Sequence, residues 1–260
     1  MIKFIAGPCV FENLEHSLFM AKHLRDIFNL ASCDLGYDVD FTYKMSFDKA
    51  NRTSRNSYRG SGFDDAWYAF NDIKGMGIKT TTDIHEAWQA EVANVDVLQI
   101  PAFLCRQTDL IEAAVKTGKT VSIKKGQFLS PGEMEQVIKK AESFGGKDLI
   151  IIERGTTFGY NNLVVDMRVF PLLKKNQKHP VYIDCTHAVQ SPGGQGDKSG
   201  GNRELAPYIA KAAVAAGADG VFMEVHQDPD DAPSDGPNMI NLKDVYRLVT
   251  TLCKIRSASL

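Results

Sequence analysis

The sequence has few of the features that mark secreted, membrane-bound or nucleic-acid-binding proteins. Its five cysteines are scattered and form no CxxC pair, which favours reduced thiols over a disulfide framework. No signal peptide is recognisable, and no apolar run approaches the roughly 20 residues that span a bilayer. A formal charge of −2 gives no bulk attraction to nucleic acid or anionic membrane. We therefore expect a cytoplasmic protein that binds neither.

The chain also lacks a linker or low-complexity stretch. Its 260 residues, 43% of them hydrophobic, fall in the range of one α/β barrel, so we expect a single domain over 1–260 without a regulatory domain. Eight β-type runs alternate with helix-compatible stretches, which predicts a (β/α)8 TIM barrel in preference to an open sheet. The predicted strands are 3–6, 40–45, 78–82, 96–100, 120–124, 149–153, 181–184 and 220–223. The predicted helices include 14–30, 63–74, 108–117, 131–143, 203–217 and 241–255.

Polar side chains gather at the predicted C-terminal ends of these strands. The set is Lys44, Asp83, His85, Gln99, Lys124, Lys125, Glu153, Arg154, Asp184, His187 and Glu224. In this fold several strands direct side chains from that rim into one cavity. The lysines and the arginine concentrate positive charge there, although the molecule is slightly acidic as a whole. This pattern predicts a small, anionic, phosphorylated substrate.

Four potential metal ligands are far apart in the sequence, yet each follows a short apolar run or the loop after one. They are Cys9, His187, Glu224 and Asp235. A thiolate, an imidazole and two carboxylates suit a borderline divalent ion such as Zn²⁺, Fe²⁺ or Mn²⁺. Their spacing does not fit a zinc finger but fits one rim of a barrel. A buried structural thiol is the alternative for Cys9, and it is the role we assign to Cys185.

Longer segments surround these positions. They read AGPC at 6–9, KMSFDKANRTS at 44–54, TDIHE at 82–86, QIPAFLCRQTDL at 99–110, KKGQF at 124–128, ERGTTFGYNNLVVD at 153–166, DCTHAVQ at 184–190 and DGP at 235–237. Together they resemble the 3-deoxy-D-manno-octulosonate 8-phosphate synthase family over nearly the whole chain. The resemblance implies a (β/α)8 barrel that condenses phosphoenolpyruvate with D-arabinose 5-phosphate and water, and that releases inorganic phosphate. In the family this step feeds lipopolysaccharide synthesis.

The resemblance also implies a metal and an assembly. The family has a metal-dependent branch with cysteine at the position of Cys9 and a metal-independent branch with asparagine there. This chain is therefore similar to the metal-dependent branch, with a divalent metal held by Cys9, His187, Glu224 and Asp235. The family resemblance further implies a homo-oligomer, specifically a tetramer.

By resemblance, the remaining site residues divide between two substrates. Phosphoenolpyruvate is bound through Lys44, Lys49, Lys124 and Arg154, with Arg106 reaching in from a neighbouring subunit. The pentose phosphate is bound through Asn51, Arg52 and Thr53, with Arg52 on the distal phosphate. Further substrate-binding candidates are Asp83, Gln99, Phe103, Gln190, Lys198 and Ser199. A solvated rim lysine is the alternative for Lys49 and Lys125.

The sequence leaves the catalytic roles and the reaction class open. Lys44, His85 and the metal are candidates to neutralise the aldehyde oxygen, and Asp235 is a candidate to assist the water. Related synthases that use erythrose 4-phosphate carry Lys-Pro-Arg-Thr where this chain reads Lys-Ala-Asn-Arg-Thr, so the longer motif favours the five-carbon acceptor. A Schiff-base aldolase with Lys124 as nucleophile and an inactive phosphosugar-binding barrel are also compatible with the sequence.

One long polar loop, 191–202, reads SPGGQGDKSGGN and contains five glycines. Glycine-rich segments rearrange at little steric cost but lose entropy when they are fixed. The loop therefore predicts a mobile lid that closes over bound substrate through Gln190, Lys198 and Ser199.

Overall fold

Short runs rich in valine, isoleucine and threonine form the strands in a computed structural model, which describes residues 1–52, 54–192 and 200–259. The barrel strands are β1 (Lys3–Gly7), β2 (Phe41–Lys44), β3 (Lys79–Asp83), β4 (Val97–Ile100), β5 (Thr120–Lys124), β6 (Leu149–Glu153), β7 (Val181–Asp184) and β8 (Gly220–His226). Neighbours pair in parallel, and β8 pairs with β1 from Lys3–Gly220 to Gly7–Glu224. The sheet thus closes on itself, which confirms the predicted (β/α)8 barrel.

A helix lies between each barrel strand and the next, and one follows β8. The helices are α1 (Leu14–Leu35), α2 (Phe63–Gly75), α3 (Ala87–Val92), α4 (Thr108–Lys116), α5 (Pro131–Ser143), α6 (Val169–Asn176), α7 (Ala206–Ala215) and α8 (Leu242–Ala258). Helix α1 runs five residues past its predicted end because Gly36 supplies the left-handed C-cap there. Among the described residues, no helix combines the length and hydrophobicity needed to cross a membrane.

The apolar side chains form two clusters on opposite faces of the barrel wall. Phe4 belongs to the large cluster between strands and helices, whereas its neighbour Ile5 belongs to a small one with Ile152, Tyr182 and Phe222. Successive residues of a strand point to opposite faces of the sheet, so the small cluster fills the barrel interior. Phe222 is fully buried there and carries two lysines above its ring. This interior cluster therefore lies directly beneath the lysines of the site described below.

A close approach of β1 and β2 sets the position of Cys9. A side-chain carbon on Gly7 would lie 2.1 Å from the carbonyl oxygen of Lys44, so only glycine permits this approach. The approach allows the Lys44 ammonium to donate a 3.0 Å hydrogen bond to the Cys9 carbonyl. One potential metal ligand and one floor lysine are thereby held together by the backbone.

Candidate active site

A cavity of about 170 Å³ opens at the C-terminal ends of the strands. Predicted site residues line it from every side: Lys44, Lys49, Asn51, Arg52, Asp83, His85, Gln99, Phe103, Lys124, Arg154, His187, Gln190 and Asp235. Pro101, Ala102, Gln127 and Pro192 also line it and were not predicted. Thr53, Lys198 and Ser199 lie outside the described residues, as does most of the predicted lid. Its two ends, Gln190–Ser191 and Gly200–Gly201, pair as antiparallel strands.

Two lysines form the floor of the cavity. The Lys44 ammonium is 2.9 Å from Oε1 of Glu224, and only 1% of the residue is exposed. Burial alone would lower the pKa of Lys44, but the carboxylates of Glu224 and Asp83 raise it on balance. The Lys124 ammonium is 2.5 Å from Oδ2 of Asp184 and 3.7 Å from the centre of the Phe222 ring. Both ammonium groups are therefore fixed in position, because their side chains are buried and paired with carboxylates.

Arg154 supplies a third buried cation, on the wall beside the lysines. One of its amino groups donates a 2.9 Å hydrogen bond to Oε1 of Gln190. The other, Nη1, is buried without a hydrogen-bond partner among the described residues. A buried cationic donor without an acceptor is costly, so this group is suited to an anionic oxygen of a ligand.

A polar network on the β2 and β3 side orients the rim. Asp83 accepts a hydrogen bond from Ser46 and lies 3.3 Å from Nε2 of His85. The Lys49 ammonium donates to the Ser46 hydroxyl at 2.9 Å. Burial would raise the pKa of Asp83, but Lys49 and His85 hold it well below its ordinary value. Asp83 is therefore ionised and fixes both a lysine and a histidine that face the cavity.

The four predicted metal ligands lie near one another beside the cavity, which His187 and Asp235 line, and they are called here the Cys9 cluster. The Cys9 sulfur lies 3.0 Å from Oδ2 of Asp235. Nε2 of His187 lies 3.8 Å from the same oxygen and 3.9 Å from Oε1 of Glu224. Burial and the neighbouring Asp235 raise the pKa of the Cys9 thiol to about 12, so a thiolate there requires a cation.

The donor types of this set suit a divalent metal ion. Metal bonds of about 2.1 to 2.3 Å place neighbouring ligand atoms about 3.4 to 3.7 Å apart, and the three contacts given above lie near that range. The four ligand atoms do not, however, form a group in which all lie within 4.8 Å of one another, so the side chains must draw together around an ion. His187 donates or shares its Nδ1 proton with Asp184 at 2.7 Å, which leaves Nε2 directed into the cluster. Oε2 of Glu224 is buried without a hydrogen-bond partner among the described residues, as a free ligand oxygen would be. Cys185 instead donates towards the Phe222 carbonyl at 3.5 Å and packs in the core.

Asp235 combines several roles in a strained backbone conformation. Its φ of 56° lies in the left-handed region, which non-glycine residues rarely adopt. This conformation presents its carboxylate to Cys9, to Arg52 at 3.2 Å and to Gln190 at 3.2 Å. Burial would raise its pKa, but His187 and Arg52 hold the pKa of Asp235 well below its ordinary value. The carboxylate is therefore ionised at neutral pH.

Two cationic candidates lie away from the cavity. Lys125 turns outward and donates to the carbonyl of Leu129 at 3.0 Å, 3.5 Å from Glu153. It is neither a solvated rim lysine nor a cavity group, because neighbouring strand residues face opposite sides of the wall. Arg106 is exposed, lies 5.3 Å from the Phe128 ring centre and does not line the cavity of its own chain.

Some contacts near the site have no signal in the sequence. The sequence predicts Asp184 at the rim, but its role as the partner of both His187 and Lys124 follows only from the fold. Ser234 lies 3.3 Å from the Cys9 sulfur, and Ser46 joins Lys49 to Asp83. No spacing rule marks the two serines, because each contact joins separate segments.

Comparison of the sequence with known proteins shows which family the chain belongs to. A relative from Rickettsia bellii, named 2-dehydro-3-deoxyphosphooctonate aldolase, is 53% identical over 253 residues, 96% of this chain and 90% of the relative. Proteins of the same name from Bartonella henselae and Cyanothece sp. are 49% identical over 251 residues and 48% over 257. These alignments cover 95% and 98% of this chain, and 88% and 92% of the relatives. The DAHP synthetase I family model matches residues 1–259, and the chain belongs to that family.

Proposed function

We propose that this chain condenses phosphoenolpyruvate with D-arabinose 5-phosphate and water, giving 3-deoxy-D-manno-octulosonate 8-phosphate and inorganic phosphate. The main support for this proposal is a cavity lined by five cationic side chains, those of Lys44, Lys49, Arg52, Lys124 and Arg154. Several fixed cations are what two phosphorylated substrates require before they leave water. The relatives' name, an aldolase of a phosphorylated 2-dehydro-3-deoxyoctonate, denotes an enzyme of this eight-carbon product.

Phosphoenolpyruvate binds on the floor of the cavity in this proposal. Lys44, Lys124 and Arg154 supply three buried positive charges, and the unpartnered Nη1 of Arg154 is suited to a phosphate or carboxylate oxygen. Burial lowers the pKa of Lys124 on balance, although its ion pair with Asp184 opposes that shift. Borohydride trapping, described below, therefore distinguishes the synthase from a Schiff-base aldolase with Lys124 as nucleophile.

The sugar phosphate enters from the open rim. Arg52 is only partly buried, and its guanidinium is held by Asp235 within reach of the cavity. Its positive charge suits the distal phosphate, while Asn51 on the same loop offers an amide to sugar hydroxyls. Chain direction supports this order, because the loop of 49–52 lies above the floor lysine Lys44 at the end of β2.

The reaction then joins the two substrates. Carbon 3 of phosphoenolpyruvate attacks the aldehyde carbon, and water adds to carbon 2, so that a hemiketal phosphate forms. The bond from carbon 2 to the bridging oxygen breaks, and phosphate leaves with that oxygen. Lys44 and His85 line the cavity and are candidates to stabilise or protonate the aldehyde oxygen, and Asp235 is the candidate to assist the water.

We infer that the chain belongs to the metal-dependent branch of these synthases, with the Cys9 cluster as the ligand set. The support is the fit of the thiol, imidazole and carboxylates described above. When bound there, a divalent ion would act as a Lewis acid on the aldehyde or activate a water. Asp184 would keep His187 in its ligating tautomer.

A homo-oligomer, a tetramer by family resemblance, is part of the proposal. Its support is Arg106, which is exposed and does not line the cavity of its own chain. An arginine at that place would complete a neighbour's site in trans. Sedimentation of the wild type and Arg106→Ala, followed by kinetics on mixtures with an inactive chain, tests this arrangement. A monomer with full activity would contradict it.

The rate of phosphate release with each sugar phosphate identifies the acceptor substrate. Purified protein is given phosphoenolpyruvate with arabinose 5-phosphate or erythrose 4-phosphate, and the sugar product is identified by mass. We expect rapid release with the five-carbon acceptor, slow release with the four-carbon acceptor, and none without an acceptor. Preference for erythrose 4-phosphate would replace the proposal by a heptulosonate-phosphate synthase. Borohydride trapping of a substrate on Lys124 would replace it by the Schiff-base aldolase.

A further inference from the structure

A second group of potential metal ligands lies between the end of β8 and the start of α1. Glu12 is in the loop after β1, His16 is in the first turn of α1, and His226 ends β8. One ligand atom from each lies within 4.8 Å of the others, and none of the three lines the catalytic cavity. We propose that this trio, the Glu12 site, binds a borderline divalent ion such as Zn²⁺ or Co²⁺ independently of the Cys9 cluster.

Glu12 places one oxygen between the two imidazoles. Its Oε1 lies 2.9 Å from Nε2 of His226 and 3.5 Å from Nδ1 of His16. A tetrahedral ion with bonds of about 2.1 Å needs neighbouring ligand atoms about 3.4 Å apart. The two distances from Glu12 are close to this value, whereas the three ligand atoms lie within 4.8 Å of one another, so binding an ion requires the two imidazoles to approach each other. The ion would take the place of the proton shared by Glu12 and His226.

The ring of His16 is set for ligation. Its Nε2 lies 2.7 Å from Oε1 of Gln227, an acceptor, so the proton of the neutral ring is on Nε2. Its Nδ1 is buried without a hydrogen-bond partner among the described residues, and only 8% of His16 is exposed. Burial lowers the pKa of His16, which favours the neutral form. A lone pair and a carboxylate oxygen thus face each other, and a cation between them satisfies both.

The ring of His226 has a partner on each nitrogen, with Nε2 rather than Nδ1 facing Glu12. Its Nδ1 lies 2.5 Å from the carbonyl oxygen of Asp228 and accepts from the Asp228 backbone N–H at 3.1 Å, while its Nε2 lies 2.9 Å from Oε1 of Glu12. Burial alone would lower the pKa of His226, but Glu12 raises it on balance, so an ion at this site must displace a proton from the ring. Metal-binding histidines commonly donate their second N–H to a carbonyl or carboxylate, because that bond fixes the tautomer and the ring orientation. Both histidines of the Glu12 site therefore have a polar partner on the nitrogen that faces away from Glu12, and this partner fixes the ring orientation.

The site is open to solvent on one side. The side chains of His16 and His226 are 7% and 3% exposed, whereas that of Glu12 is 22% exposed. Among the described residues, the ion pairs of Glu12 are with these two histidines, and no lysine or arginine competes for its carboxylate. Two imidazoles, one carboxylate and a water from the open side complete a four-coordinate shell. An ion there would tie the loop after Cys9 to the segment after Glu224.

Titration of metal-free protein with Co²⁺ tests the proposal, because a thiolate ligand adds a charge-transfer band that nitrogen and oxygen ligands lack. We expect the wild type to bind two ions per chain, one of which produces that band. His16→Gln and Glu12→Gln should each bind one, with the band retained. Cys9→Ser should bind one without the band. His23→Gln is the matched control, since His23 is on the same helix but exposed and bonded only to the Phe19 carbonyl.

The outcomes separate this site from the Cys9 cluster. If the cluster binds no metal, the wild type will bind one ion without the thiolate band, and His16→Gln will bind none, which still supports the Glu12 site. Unchanged stoichiometry in both His16→Gln and Glu12→Gln, or no ion in the wild type beyond that giving the band, would overturn the proposal. Circular dichroism checks folding, and the partly exposed Glu12 provides the variant that is least disruptive to the core.

Discussion

The two ligand clusters differ in what surrounds them. In the Cys9 cluster each carboxylate pairs with a cation, Glu224 with Lys44 and Asp235 with Arg52, and two of its members, His187 and Asp235, line the cavity. In the Glu12 site one carboxylate lies between two imidazoles whose other nitrogens are bonded to Gln227 and Asp228. Under the two proposals, ligand types alone therefore do not distinguish a catalytic metal site from a structural one. The neighbouring cations and the access to a cavity separate them.

Of the changes that test this comparison, removal of metal should have the largest effect on activity. Chelation should lower phosphate release at least about 100-fold, and an added divalent ion should restore it, because an incomplete shell loses both affinity and activity. Cys9→Ser should show the same loss. Cys9→Asn should retain part of its activity without metal, since asparagine occupies this place in the metal-independent branch. Full turnover in protein shown by elemental analysis to be metal-free would contradict the account.

The adjacent lysines offer the next test, with each serving as control for the other. Lys124→Met should lower kcat/KM for phosphoenolpyruvate by a factor that corresponds to about 2 to 5 kcal/mol, because it removes a cavity cation and one of the two partners of Asp184. Lys125→Met should instead lower the free energy of unfolding by about 3 kcal/mol, since it leaves Glu153 buried without its partner. Steady-state kinetics and urea unfolding measure the two effects. Equal kinetic losses would show that Lys125 also acts in the cavity.

Arg52 tests the division between the substrates. Arg52→Ala should raise KM for arabinose 5-phosphate about 30-fold or more, with a much smaller change for phosphoenolpyruvate, because a charge-assisted phosphate contact is lost. Arg59→Ala is the control, since Arg59 forms an exposed pair with Asp48 outside the cavity. A parallel rise in both constants would leave Arg52 without a specific role.

The smallest predicted effect is a pH dependence of stability. The pKa of Asp83 is lower in the folded state than in the unfolded state, where it is about 3.9. The ionised Asp83 therefore adds to the free energy of unfolding above about pH 3.9, and this contribution is lost as the pH falls towards the folded-state pKa. Asp83→Asn should reduce stability at pH 7 by about 1.5 to 3 kcal/mol, and the gap to wild type should narrow below about pH 4. Urea unfolding across this range measures it. A gap that widens on acidification would reverse the assigned sign.

Most of the fold and the cavity lining could be predicted from sequence because a barrel gathers its strand ends. Placing Lys44, Asp83 and Gln99 at those ends was enough to bring them together. The opposite directions of Lys124 and Lys125 depend on the register of one strand, which composition does not give. The Glu12 site joins a loop, a helix and a distant strand end, so its geometry follows only from tertiary packing. The left-handed conformation of Asp235 could not be predicted either, because aspartate adopts both this conformation and the ordinary ones, and the sequence does not say which.

Isotope transfer tests the central claim, condensation with cleavage of the carbon–oxygen bond in this cavity, most directly. Phosphoenolpyruvate labelled with ¹⁸O at its bridging position is turned over with arabinose 5-phosphate, and the phosphate and sugar products are analysed by mass spectrometry. The account predicts that the label leaves entirely with phosphate and that carbon 2 of the eight-carbon product takes its new oxygen from water. Label retained in the sugar product, or phosphate released without an eight-carbon product, would contradict it.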